Sequence, residues 1–311
     1  RGMTEYMASV LRRVFTLLLA AANFLGFGLR LEPVRAAANG TALAYPVGDG
    51  VYLLDDYGVS SAYLIVGSEK CLVIDAGIGF ADFRERVEEY SQGKPVICAL
   101  THGHVDHAGA AKQFEEVYVH KDEAEIRYQQ SLAVRFLYTL IGLTHVISRY
   151  GVSAFDVSDR NNVESETIYI EDGYAFDLGG RKVTFVHTPG HTKGSGCFTD
   201  SKTNILFAGD STHTSVMLIF PESLTVETYN RSIKKIGELE QTASAVCNGH
   251  SKSPQDKAVT QELIAVTDEL LRNTESNTFL YIIIKKASTA VLPDGVQKDI
   301  TLRYVTSKVF D

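Results

Sequence analysis

The chain has 311 residues, 45% of them hydrophobic, enough to bury the core of one large domain with extensions. Thirty Lys and Arg against 38 Asp and Glu give a formal net charge of -8, which argues against a groove for nucleic acid, since that needs clustered cations. The four cysteines (Cys71, Cys98, Cys197, Cys247) each lie inside an apolar run and read as core thiols rather than as a disulfide framework.

The first 38 residues differ in kind from the rest. Arg12 and Arg13 precede an apolar stretch from Val14 to Leu29, and Ala36-Ala37-Ala38 follows. A positive start, an apolar centre and a small-residue exit make a secretory signal. The stretch is shorter than the ~20 residues of a bilayer span. An uncleaved anchor, or an apolar helix docking on the domain or on a second copy, are the other readings. The expectation is an exported or membrane-attached protein, with membrane contact through this segment and a homodimer as a further partner; a cytoplasmic location stays open.

From residue 39 to 277 the pattern is that of an α/β domain. Strand-like runs at 50–54, 61–66 and 71–75 are separated by Asp55-Asp56-Tyr57-Gly58 and Gly67-Ser68-Glu69-Lys70. An amphipathic helix around 80–91 leads to the apolar run Val96 to Leu100. Thr-His-Gly-His-Val-Asp-His follows directly at 101–107. Residues two apart in an extended chain share a face, so His102 and His104 can point the same way, with Asp106 and His107 following as the chain turns into a helix expected from Gly109. Three of only nine histidines fall within this run, which makes a divalent-metal site the better reading over solvated surface histidines. A strand at 116–120 comes next.

Residues 121–162 break the pattern. They begin as a charged helix and pass through Phe136-Leu137-Tyr138-Thr139-Leu140-Ile141-Gly142-Leu143. Placed directly after the His cluster, this insertion reads as a lid or pocket wall, or else as a dimer contact. The second half resumes with strands at 166–170, 182–187, 195–199 and 204–208, a helix near 224–239, a strand at 244–247 and a helix near 255–273. Residues 278–311 read as a β-hairpin-like extension, with strands at 279–284 and 300–305.

Four strand ends carry one ligand-type residue each, next to Gly or Pro: Asp75 in Ile-Asp-Ala-Gly, His191 in Thr-Pro-Gly-His-Thr, Asp210 in Ala-Gly-Asp and His250 in Asn-Gly-His. Strands that deliver polar residues to one rim, with glycines admitting close backbone approach, build an active site this way. Weaker candidates are His213, three residues past Asp210, which could contact substrate, and Lys193, Ser195, Tyr57 and Tyr138. His187 reads as a core residue or a support for a ligand, and His120 and His145 as structural.

With these five motifs in this order, the chain resembles the metallo-β-lactamase-fold metallohydrolases over roughly residues 45 to 275. The resemblance implies a four-layer αββα sandwich with a helical insertion after the first ligand motif. It implies two divalent metal ions: His102, His104 and His191 hold the first, Asp106, His107 and His250 the second, and Asp210 bridges both. Asp75 is implied as a support that orients a ligand imidazole. Zinc is favoured for this His and carboxylate set, iron and manganese being the alternatives. The implied activity is attack of a metal-bound hydroxide on an ester-like bond (thioester, lactone or β-lactam) in a small-molecule substrate, with Asp106 orienting the hydroxide and shuttling its proton. The hairpin-like end departs from the helical, basic C-terminus of glutathione-thioesterase relatives and so speaks against glutathione substrates. The competing readings are a mononuclear-iron, persulfide-dioxygenase-like oxidoreductase and a non-catalytic binding protein on the same fold.

Overall fold

Turn residues at 49–50, 56–58 and 67–69 divide the first half into short runs of β-branched, aliphatic and aromatic residues, the composition that favours a half-buried pleated surface. The computed structural model describes residues 43–272, 276–281, 285–290 and 300–311. The apolar segment at 1–38 lies outside the described residues. No helix among them is long and apolar enough to cross a membrane.

The strands of the first sheet are β1 (Ala44–Gly48), β2 (Val51–Asp55), β3 (Ser61–Val66), β4 (Cys71–Ile74), β5 (Val96–Ala99), β6 (Glu116–His120) and β7 (Glu166–Ile170), lying side by side in chain order. β1 to β4 run antiparallel through short turns. β4 to β7 run parallel, which demands crossovers. These are helix α1 (Phe83–Tyr90), the short helix α2 (Val105–Ala108), and the insertion with α3 (Leu132–Tyr138) and α4 (Thr144–Ile147).

The second sheet contains β8 (Ala175–Asp177), β9 (Lys182–His187), β10 (Gly196–Asp200) and β11 (Ile205–Gly209); β12 (Ser215–Leu218) leaves it, and β13 (Ala245–Asn248) returns parallel to β11 after helix α5 (Val226–Glu240). Helix α6 (Ala258–Arg272) follows. The N-cap Thr225 accepts from the Thr228 N–H, and Val226, Tyr229, Ile233 and Ile236 form the buried stripe of α5 at helical spacing.

Period-two alternation decides the layers. Val51, Leu53, Tyr63, Ile65, Leu72 and Ile74 face Phe185, Phe198, Phe207 and Cys247 of the second sheet. The alternate residues Leu64, Val73 and Cys98 face Phe83, Val87 and Phe114. The outer face of the second sheet buries Cys197, Leu206 and Val246 against α5 and α6. This is the four-layer αββα arrangement. All four cysteines are buried and free.

The sequence reading placed the strand at 166–170 with the second half, whereas β7 pairs with β6 in the first sheet, and it gave no strand at β8 or β12; two further elements also differ. The helix expected from Gly109 already begins at Val105: His104 is extended (φ -63, ψ 155) and its carbonyl accepts from the His107 and Ala108 N–H groups, so Asp106 and His107 lie within the first helical turn. At the other end, the strands are β14 (Ser276–Tyr281), β15 (Lys285–Ala290) and β16 (Thr301–Val305). Three strands stand where two were expected, and, as the marginal stability of a lone hairpin requires, they pair with the rest of the domain. β16 lies parallel to β12 and antiparallel to β15, completing a four-stranded sheet. A lone hairpin buries too little to be stable, whereas here Leu302, Tyr304 and Val305 are buried. The insertion packs Val134, Leu143 and Ile147 against Ile78, Phe80, Val105 and Phe220.

Phe185 is fully buried between the sheets. Phe185→Ala is expected to cost about 3–5 kcal/mol of unfolding free energy in urea titration.

Candidate metal centre

β4, β5, β11 and β13 point their C-terminal ends to one edge of the sandwich, because each neighbouring pair is parallel. Asp75, the 101–107 run, Asp210 and His250 therefore emerge at a common rim. His191 reaches it from the turn between the antiparallel strands β9 and β10.

Asp75 is almost fully buried and, with φ 64, is one of four non-glycine residues in the left-handed region among the described residues. Its carboxylate accepts from the Thr101 N–H (2.8 Å), the Thr101 hydroxyl (2.9 and 3.0 Å to its two oxygens) and His107 Nδ1 (3.0 Å). The single Thr101 hydroxyl proton is thus directed at Asp75, which leaves Thr101 Oγ1 to accept from His102 Nδ1 at 3.0 Å.

The same logic holds around the site. His191 Nδ1 donates to the Met217 carbonyl (2.9 Å), His250 Nδ1 to the Val59 carbonyl (3.1 Å) and His104 Nε2 to Glu222 (3.0 Å). Each of the five imidazoles has one ring nitrogen pinned by an acceptor, and its other nitrogen is turned inward. His104 Nδ1 and His191 Nε2 come within 2.8 Å of each other. Asp210 lies 3.3 Å from His107 Nε2, 3.2 Å from His250 Nε2 and 3.6 Å from His191 Nε2. Asp106 Oδ2 lies 3.8 Å from His107 Nε2 and 3.9 Å from His250 Nε2.

Among the described residues, three groups of donors form, the ligand atoms within each lying within 4.8 Å of one another: His102, His104 and His191; Asp106, His107 and His250; and, sharing members with both, His102, His107 and Asp210. Ligand atoms at about 2.0–2.2 Å from a tetrahedral ion stand about 3.3–3.5 Å apart, comparable to these separations. His102 Nε2, His107 Nε2 and Asp210 Oδ1 are buried without a hydrogen-bond partner. Buried polar atoms without partners are costly, and three converging on one point fit a bound cation, which would displace the proton from His107.

The electrostatics agree. Burial opposes a charged His107, yet the Asp210 and Asp106 carboxylates and the bond to Asp75 outweigh it and push its pKa up to about 10. Burial and the neighbouring His104 pull His191 down to about 3. Asp210 is held well below the usual carboxylate range despite its burial, because His250 and His107 stand beside it.

The cleft over these donors is lined by His104, Asp106, His191, Asp210 and His250 on its floor, and by Val59, Val105, Tyr138, Leu143, Met217 and Phe220. Tyr138 and Leu143 come from the insertion. His213 is buried rather than lining this cleft; its Nδ1 accepts from the Ser215 N–H, and its ring lies 5.7 Å from that of His250. His187 stacks on His120 (4.1 Å), Lys193 pairs with Glu125, Ser195 bonds to Thr192, Tyr57 donates to Asp82, and His145 contacts Arg149. Sequence reasoning missed Glu123, Gln129 and Glu222. All three are buried against the ligand loops, but they stand in no motif and at no strand end.

The family profile described as the metallo-beta-lactamase superfamily matches residues 55–250. The chain is 28% identical over 211 residues to the human acyl-coenzyme A thioesterase MBLAC2, covering 62% of this chain and 74% of that protein. It is 32% identical over 152 residues to the uncharacterized protein Rv2581c of Mycobacterium tuberculosis, covering 45% and 61%. Among solved structures, a β-lactamase domain protein from Burkholderia ambifaria aligns with TM-score 0.54 at 18% identity, covering 78% of this chain and 81% of that one. A metallo-β-lactamase family protein from Thermus thermophilus aligns with TM-score 0.51 at 22% identity, covering 72% and 81%.

Because a carboxylate pair raises the pKa of His107 to about 10, cation-free protein carries a proton there at neutral pH, and a bound cation must displace it. Zinc affinity is therefore expected to rise with pH, by about tenfold per unit per proton displaced. Calorimetry at pH 8 in buffers of different ionisation enthalpy should read release of at least about one proton per chain. The sign for stability is opposite: the raised pKa stabilises cation-free protein below the ordinary histidine range, and this contribution is lost as pH climbs towards 10.

Proposed function

Because the chain belongs to the metallo-beta-lactamase superfamily, we propose that it is a metal-dependent hydrolase of an ester-like bond in a small molecule, with an acyl thioester as the favoured substrate class over a lactone or β-lactam. The observation that carries this reading is the convergence of three buried polar atoms without hydrogen-bond partners between two triads of His and Asp. The donors suit two divalent ions, zinc before iron or manganese: His102, His104 and His191 at one, Asp106, His107 and His250 at the other, and Asp210 between them. Bound there, the ions supply Lewis acidity, polarising the scissile carbonyl and acidifying water.

The protein's own groups do the rest. Asp75, Thr101, Glu222 and the carbonyls of Val59 and Met217 hold the five imidazoles in the inward-facing tautomer. Asp106, at the cleft floor beside His107 and His250, is placed to take the proton of the attacking water as the carbon–oxygen bond forms. When the carbon–sulfur bond breaks, the same carboxyl returns that proton to the departing thiolate. Val59, Val105, Leu143, Met217 and Phe220 form an apolar wall that excludes water and suits a hydrocarbon acyl group. The thioesterase name of the human relative supports the same substrate class.

The second-ion donors are complete, which favours hydrolysis over a mononuclear-iron oxidation. Metal analysis with a panel of acyl-coenzyme A esters, lactones and β-lactams tests the reading. Turnover of acyl thioesters is expected, abolished by a chelator and restored by zinc, with Asp106→Asn lowering kcat by about 10²- to 10⁴-fold. Inert protein after zinc or iron loading, or oxygen uptake with a persulfide, would reject it.

A further inference from the structure

The segment from Met217 to Ser223 holds two of the inward-facing imidazoles from outside. The Met217 carbonyl accepts from His191 Nδ1 (2.9 Å), the Ser223 hydroxyl donates to the His191 carbonyl (2.8 Å), and Glu222 Oε1 accepts from His104 Nε2 (3.0 Å). The same Glu222 oxygen accepts from Gln129 Nε2 (2.9 Å), whose Oε1 in turn accepts from the Val105 N–H (3.2 Å). Gln129 is fully buried and Glu222 is 7% exposed. A carboxylate buried to this degree is costly unless it is tied to specific donors. Its partners here are a ring nitrogen of the cleft floor and an amide from the insertion.

We infer that Glu222, held in place by Gln129, is the positioning residue that presents His104 Nδ1 to the first metal site, so that the insertion is wired into this site as well as walling the cleft. This rests on the metal-centre reading above. Without an acceptor at Nε2, the His104 ring is free to swap tautomers or rotate, and its inward lone pair is lost for part of the time. His107 and His250 have their own acceptors, Asp75 and the Val59 carbonyl, so these two rings are set by groups other than Glu222. The consequence is a selective one: removal of Glu222 weakens one of the two ions.

The experiment is titration of full-length protein with Zn2+ against a chromophoric chelator, paired with the visible spectrum of the Co2+-loaded protein. Glu222→Ala is expected to weaken one ion by about 10- to 100-fold and to alter one component of the cobalt spectrum, leaving the other ion's affinity unchanged. Glu222→Gln keeps an oxygen acceptor for His104 and Gln129 and is expected to restore most of the lost affinity. Equal affinities in Glu222→Ala and the unsubstituted protein, a parallel loss of both ions, or a Gln variant as impaired as the Ala variant would each overturn the inference. Should Glu222→Ala not fold, Gln129→Glu, which keeps an oxygen for the Val105 N–H and removes the amide donor to Glu222, replaces it: a smaller loss confined to the same ion supports the relay, and no change overturns it. Unsubstituted protein that takes up no Zn2+ overturns the metal-centre reading itself.

Discussion

Five imidazoles pinned at their outer nitrogens are the constraint on which the site depends. Asp75, Thr101, Glu222 and two backbone carbonyls each fix one ring, and every inner nitrogen then faces one small volume beside Asp210 and Asp106. Hydrogen-bond directionality enforces this, since carbonyls and ionised carboxylates can only accept. The result is a cluster of ring nitrogens and carboxylates in which His102 Nε2, His107 Nε2 and Asp210 Oδ1 have no hydrogen-bond partner. Burial lowers the pKa of both rings; at His191 the neighbouring His104 adds to it, whereas at His107 the Asp210 and Asp106 carboxylates outweigh it.

Strand direction brings these groups together. Antiparallel strands would send successive C-terminal ends to opposite edges, whereas the parallel pairs β4–β5 and β11–β13 send four of them to one rim. Close backbone approach completes the arrangement. Gly209 has φ +49, and a Cβ there would lie 2.6 Å from Thr101 Oγ1, the hydroxyl that links Asp75 to His102. A side chain at 209 would press on that link while straining the turn that presents Asp210.

The insertion belongs to this machinery on two levels. Its helices supply apolar wall through Tyr138 and Leu143, and its first stretch sends Glu123 and Gln129 inward. Glu123 accepts from the Gly103 and Gly194 N–H groups and from the Thr192 hydroxyl, joining the loop of His102 and His104 to that of His191. Wall and ligand loops therefore share buried hydrogen bonds, and movement of one is felt by the other.

Much was legible in the chain by itself. Period-two and helical spacing determined most of the strands and helices, because burial of one face is a local property of sequence, but not β8, β12 or the sheet to which β7 belongs. The His-rich run and the four strand-end residues were legible because ligand chemistry limits which side chains can serve, and all seven come together with Asp75 behind His107. Tertiary structure alone decided the rest. β12 and the strands after residue 275 gained stability only by pairing with each other across more than 80 residues of chain. At the start of α2 the Val105 N–H is held by Gln129 of the insertion. The acceptors Glu222 and Gln129 have no local signature, since a carboxylate becomes a partner for a ring nitrogen only when two loops 118 residues apart in sequence are packed to hydrogen-bonding distance.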